Sequence, residues 1–198
     1  MNFYIIGIGA AILIIGFLLY WLYSYIFPEK SKVSSKNYLF DSSIKSIPLD
    51  ELKNPTSKIY SIELWLYINT LPKTETAIFS YSPSNSVSLV IDPNNILTFK
   101  NTQLKEQSMK ISNIPLQRWV YIVINVKHTL VEMYIDGKLV DSGKIPSRYM
   151  NSISYDDSIT FGSIDAYIAG MSRNMKLLDL ETIKNQYHKE KNDLYRYL

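Results

Sequence analysis

Val131-Glu-Met-Tyr-Ile-Asp-Gly-Lys-Leu-Val140 decides the fold class. Val131, Met133 and Ile135 alternate with Glu132 and Tyr134, the period of a strand with one buried face. Asp136-Gly137 follows at once and is a strong tight-hairpin signal, so Leu139 and Val140 begin an antiparallel return strand. Upstream, Val120, Ile122, Ile124 and Val126 repeat the alternation. Ile62, Leu64, Leu66 and Ile68 repeat it again, with Ser61, Glu63, Trp65 and Tyr67 on the opposite face. Shorter β-like runs lie at 77–81, 87–91, 96–99, 158–161 and 167–171. Turn chemistry separates several of them, as at Ser82-Pro83-Ser84-Asn85 and Asp92-Pro93-Asn94-Asn95. Many short strands with few helices predict an all-β antiparallel sandwich rather than alternating βα units.

The end of the chain has a different period. Asp179 is placed to cap a helix in which Leu180, Ile183 and Tyr187 recur at helical spacing, with Leu194 and Leu198 continuing the stripe. The expectation is a short C-terminal helix packed across the sandwich.

The beginning differs again. Residues 3–27 are 25 consecutive positions without a charged side chain. As a helix they would be about 37 Å long, more than the ~30 Å of bilayer hydrocarbon. No Lys or Arg precedes the run, and it leaves through Tyr20, Trp21, Tyr23 and Tyr25, which suit a membrane interface better than a signal-peptide exit. Residues 1–27 are therefore expected to be an uncleaved transmembrane helix, with the lipid bilayer as partner through residues 3–27. Lys30, Lys32 and Lys36 follow it, and the positive-inside rule then puts the C-terminal domain on the cytoplasmic side. The absence of cysteine agrees with a compartment that does not form disulfides. Residues 28–58 are rich in Ser, Lys and Pro and read as a linker, with 38–40 able to add an edge strand; residues 59–198 hold the sandwich and the helix.

Ile, Lys, Asn and Tyr number 26, 17, 14 and 16, a bias that matches A/T-rich codons rather than any demand of folding. A net charge of +3, spread evenly along the part after the anchor, argues against nucleic acid as a partner.

Four segments, in order, resemble the laminin-G type of jelly roll in the concanavalin A-like lectin/glucanase superfamily. They are Tyr60-Ser-Ile-Glu-Leu-Trp-Leu-Tyr67, then Pro115-Leu-Gln-Arg-Trp119 with its alternating strand, then the hairpin 131–140. The last is Ile159-Thr-Phe-Gly162 followed by Ile168-Ala-Gly170 and the helix start at 177–183. The resemblance covers about residues 59–190 and implies a jelly-roll β-sandwich. It leaves function open, because the family contains enzymes, lectins and plain binding modules.

Chemistry is sparse. Glucan hydrolases of the family carry a Glu-x-Asp-x-x-Glu strand, and retaining hydrolysis needs two carboxyls about 5–5.5 Å apart. Here Glu63 is followed by Trp65 and Asn69, and Glu132 by Tyr134, so no strand carries a carboxylate pair. His128 and His188 have no His or Cys companions for a zinc set. Asp156-Asp157 is the best local candidate for calcium, though two acids before a strand also make an ordinary turn. Trp65 and Trp119 are expected in the core rather than on a sugar-stacking platform. No catalytic residue, metal ligand or cofactor is assigned. The expected role is a membrane-anchored, non-catalytic interaction module. Its context would be structural, in a virion membrane or as a minor capsid protein of a large DNA virus, with neighbouring structural or capsid proteins as partners. The alternative is a membrane-tethered lectin with a glycan partner. A glycoside hydrolase survives only if acids converge from separate strands.

Overall fold

Alternate side chains of a strand face opposite sides of its sheet, so an alternating sequence buries one row when a second layer covers it. The computed structural model shows two such layers. It describes residues 13–21, 30–32, 38–39, 47–48, 57–82, 84, 86–101, 108–128, 130–144 and 158–194. Residues 13–21 form an exposed helix (α1), in the unit Met1–Lys30. Among the described residues no helix is long and apolar enough to cross a membrane. The rest of the run expected to be an anchor lies outside the described residues.

Ser31–Leu198 form the second compact unit. Its strands are β1 (Lys30–Lys32), β2 (Tyr38–Leu39), β3 (Ile47–Pro48), β4 (Ile59–Ile68), β5 (Thr76–Ser82), β6 (Val87–Ile91) and β7 (Ile96–Asn101). They continue with β8 (Met109–Ser112), β9 (Trp119–Lys127), β10 (Leu130–Ile135), β11 (Lys138–Lys144), β12 (Ser158–Phe161) and β13 (Ala166–Asn174). Among the described residues one sheet has the order β1-β13-β4-β9-β10-β11, with β2 also on β13, and the other β3-β12-β5-β6-β7-β8. The strand pairs whose register the described residues define are all antiparallel, as the sandwich expectation requires; β4 and β9, for example, run together from Ile59↔Lys127 to Tyr67↔Trp119. Within the expected linker, Tyr38–Leu39 pairs with Ile168 and Tyr167, and Ile47–Pro48 pairs with Ile159 and Ser158.

Ile62, Leu64, Leu66 and Ile68 meet Ile122, Ile124, Phe79, Leu89 and Phe99 in an aliphatic and aromatic core between the sheets. Each fully buried side chain of this kind contributes about 1.5–3 kcal/mol. The hairpin forms as its sequence dictates: Asp136 and Gly137 take φ of 49° and 81°, the two positive values of the favoured two-residue turn.

The C-terminal helix, α2 (Leu180–Leu194), starts at the expected cap, where Asp179 Oδ1 accepts from Thr182 N at 2.8 Å. The outer faces of β4 and β9 are thereby buried as well, with Trp65, Trp119, Tyr121, Val123, Leu178 and Ile183 in a second cluster. One expectation is corrected. Leu180 is 46% exposed and outside the packed face. The side chains that face the sheet are those of Ile183, Gln186, Tyr187 and Glu190. At roughly 100° per residue, Leu180 sits some 60° around the helix from Ile183, and it belongs to the first turn. The strand Met109–Ser112 was not anticipated. Its sequence, Met109-Lys-Ile-Ser112, has only two apolar residues and lies among polar neighbours, so it does not stand out from a loop.

Candidate functional site

Every polar atom buried between sheet and helix needs a partner, because an unpaired one costs about 1–3 kcal/mol. Glu63 is the carboxylate that carries this constraint. It is 2% exposed, in the middle of β4 on the face covered by α2. Tyr121 on β9 donates its hydroxyl to Glu63 Oε2 at 2.7 Å, and Ser172 on β13 donates to Oε1 at 2.6 Å. Asn174 Nδ2 lies 3.5 Å from Oε1 and 3.2 Å from the Ser61 hydroxyl.

A bulge delivers two of these donors. Ala169 pairs with Trp65 and Ser172 with Glu63, so Gly170 and Met171 together oppose one residue of β4. The extra residue reverses the alternation. Ser172 and Asn174 then face Glu63, while Met171 and Arg173 turn inward. Arg173 is 1% exposed, with its guanidinium carbon 4.6 Å from the centroid of the Tyr60 ring.

The helix closes the site. Trp65 Nε1 donates to Glu190 Oε2 at 2.8 Å, and the Tyr187 ring stacks on Trp65 at 5.8 Å. Gln186 Oε1 stands 3.1 Å from the Tyr121 hydroxyl oxygen. A phenol has one proton, and the nearer Glu63 takes it. Asn125 fixes the start of the helix by accepting from Leu178 N at 3.1 Å and donating to Leu178 O at 2.8 Å.

Two carboxylates thus hold one aromatic pair: Glu63 accepts from Tyr121, and Glu190 on the helix accepts from Trp65, whose ring centroid lies 4.9 Å from that of Tyr121. The strand sequence offered no pair, and the second acid comes from a distant element. Both are committed to hydrogen bonds where α2 meets the sheet, Glu63 buried and Glu190 half-buried. The geometry does what a structural latch does: it satisfies a buried charge and holds a helix.

The tyrosines record the burial. Tyr134, which donates to Glu132 Oε2 at 3.0 Å, is pushed up to about 12, by burial first and by that bond second. Burial, then Glu63, pushes Tyr121 much further up. Burial and Tyr81 raise Tyr60 against the opposing pull of Arg173. A raised folded value favours the neutral phenol, so the linked stability is complete below the unfolded pKa of about 10 and is lost as pH rises through the folded value. Ultraviolet titration of the phenolates is expected to show Tyr60, Tyr121 and Tyr134 ionising only with cooperative unfolding, above about pH 12. Complete ionisation near pH 10 with circular dichroism intact would contradict this burial.

Trp65 and Trp119 are 1% and 3% exposed and belong to the packed cluster, as expected. Asp136 is turn geometry: Oδ1 accepts from Tyr121 N at 2.9 Å, and Arg118 pairs with the other oxygen. His128 is exposed in the β9–β10 turn, and His188 is exposed beside Tyr187. Asp156 and Asp157 lie outside the described residues. Among the described residues no group of three or more His, Cys, Asp or Glu is placed to hold a metal. Tyr121, Ser172, Asn174, Gln186 and Glu190 were not singled out from the sequence. The signal available was weak, namely a Glu on the face of β4 opposite the apolar row, with a helix expected somewhere across the sandwich.

The family model of the concanavalin A-like lectin/glucanases superfamily matches residues 41–170. No curated protein matches the chain. Among solved structures, the binding domain of botulinum neurotoxin DC in complex with rat synaptotagmin II is similar, with 20% identity and a TM-score of 0.60 over 71% of this chain and 38% of that one. The same domain in complex with SialylT matches at 21% identity and a TM-score of 0.56, over 69% and 37%. Botulinum neurotoxin type C, whose cell entry depends upon interaction with two ganglioside molecules, matches at 22% identity and a TM-score of 0.56, over 67% and 36%. The aligned part of each of these toxin chains is less than two fifths of its length.

Proposed function

The chain belongs to the concanavalin A-like lectin/glucanases superfamily, and from that premise we propose that it works as a non-catalytic binding module. The observation that carries this reading is Glu63. The one acid on the longest central strand is buried, fully hydrogen-bonded and roofed by a helix. A hydrolase needs a carboxylate pair that a substrate can reach.

In this reading residues 3–27 hold the module in a bilayer, with the sandwich on the cytoplasmic side next to structural proteins of a virion membrane. Support comes from the uncharged run, the lysines that follow it and the lack of cysteine. A second reading, a tethered lectin, is favoured by the structural neighbours bound to SialylT or dependent on gangliosides.

The test has two arms. Membranes carrying the full-length chain are washed with high salt and carbonate, then crosslinked and the neighbours identified. Retention of an intact chain, with a structural protein as its crosslinked neighbour, is the expected result. Release by carbonate, or a mature chain that starts beyond Phe27, would remove the anchor. A glycoprotein neighbour on the outer side of the membrane would favour the lectin.

A further inference from the structure

One end of the β4–β9–β10–β11 sheet gathers exposed cations. Lys127 ends β9 beside Ile59 of β4, and it also faces Leu130 at the start of β10. Leu130 in turn pairs with Lys144 at the end of β11. His128 donates its backbone N–H to Lys58 O at 3.1 Å, which brings Lys58 to the same rim. Lys58, Lys127, His128 and Lys144 are all exposed. With neighbouring strands about 4.8 Å apart, Lys127, Leu130 and Lys144 form one short row, and Lys58 and His128 adjoin it in the chain. Among the described residues none of the three lysines makes an ion pair.

The acids near this rim are otherwise engaged. Glu132, two residues into β10, accepts from the Tyr134 hydroxyl, and Asp179 is bound to Thr182 as the helix cap. In the middle of the lysines Leu130 stands 36% exposed at the hairpin.

We propose that this rim is a peripheral contact for anionic lipid headgroups, with the lysines on the phosphate layer and Leu130 directed at the acyl boundary. Charge complementarity selects the partner. Lysines around a protruding aliphatic side chain suit a negatively charged, apolar-backed surface. Single-stranded nucleic acid is instead gripped by aromatic platforms and arginine, and the described residues of the rim include neither Phe, Tyr, Trp nor Arg. The contact does not depend on whether residues 3–27 span the bilayer.

The chain has no cysteine, so single labels are clean. Leu130→Cys in the full-length chain would carry an environment-sensitive apolar fluorophore. Leu116→Cys serves as control: it is similarly exposed, at 37%, but precedes β9 whereas Leu130 follows it, which puts it at the far end of the sheet. Both proteins are reconstituted into nanodiscs of phosphatidylcholine with and without phosphatidylserine.

The label at 130 is expected to shift to the blue in the anionic discs only, and to return to its aqueous emission at high salt. The label at 116 should stay aqueous throughout. Replacing Lys58, Lys127 and Lys144 together by Gln should lower the docked-to-undocked ratio by about fivefold per lysine, roughly a hundredfold in all. Aqueous emission at 130 in anionic discs, an equal shift in neutral discs, or a shift at 116 instead would overturn the proposal. A response at 130 to a single-stranded RNA, with none to anionic lipid, would overturn it in favour of nucleic acid. Incorporation into neutral discs reports separately on the anchor.

Discussion

Trp65→Ala is expected to destabilise the domain by about 3–5 kcal/mol, the range for losing a fully buried large aromatic. Trp65 is 1% exposed, and its ring lies 4.9 Å from that of Tyr121 and 5.8 Å from that of Tyr187. Its indole N–H also holds Glu190. The substitution therefore opens a cavity and removes a docking point of α2 together. For a single domain with roughly 5–15 kcal/mol in total, that is a large share. Denaturant unfolding followed by circular dichroism gives the value. Trp65→Phe should lose much less, since it keeps most of the packing and gives up the hydrogen bond. An Ala variant as stable as the parent would mean that the outer face is not packed against α2.

Gly162→Ala is expected to cost about 3 kcal/mol or more, at or beyond the upper end of ordinary overpacking. A Cβ at this position would lie 1.9 Å from the carbonyl oxygen of Ala77 and 3.3 Å from Thr76 Cγ2. The obstacle is backbone, and a rotamer change cannot relieve it. Gly162 follows β12 where that strand pairs with β5, beside the irregularity between Ala77 and Phe79. Relief would require β12 and β5 to part at that end. Unchanged thermal unfolding of Gly162→Ala would show that the two strands are further apart than described.

The two effects differ in how far the sequence announced them. Trp65 and Trp119 were expected to be buried as large aromatics on strands, but the alternation sets both on the face opposite the apolar row, and α2 is what buries them there; the alternation itself, a local signal, was legible. The same holds for the Asp136-Gly137 hairpin and for the central strands β4, β9 and β10. The close approach at Gly162 was not legible, because the contact is with the backbone of a strand far away in the chain. The site was hidden for a related reason. Ser172 and Asn174 reach Glu63 only through the bulge after Ala169, and an offset of one residue changes which face every later side chain takes. Glu190 reaches the same face from the helix, so counting acids along β4 could not find it. Leu180 misled because helical spacing specifies a stripe, whereas the sheet beneath decides where along that stripe contact begins.

Binding without turnover is the central claim, and a direct assay decides it. The purified full-length chain is given a panel of β-glucans and other glycans, with and without calcium, while released reducing ends and heat of binding are measured. No reducing ends above the buffer control are expected, with full recovery of any glycan that does bind. Sustained release of reducing ends, abolished by Glu63→Gln or Glu190→Gln in protein that remains folded, would contradict it.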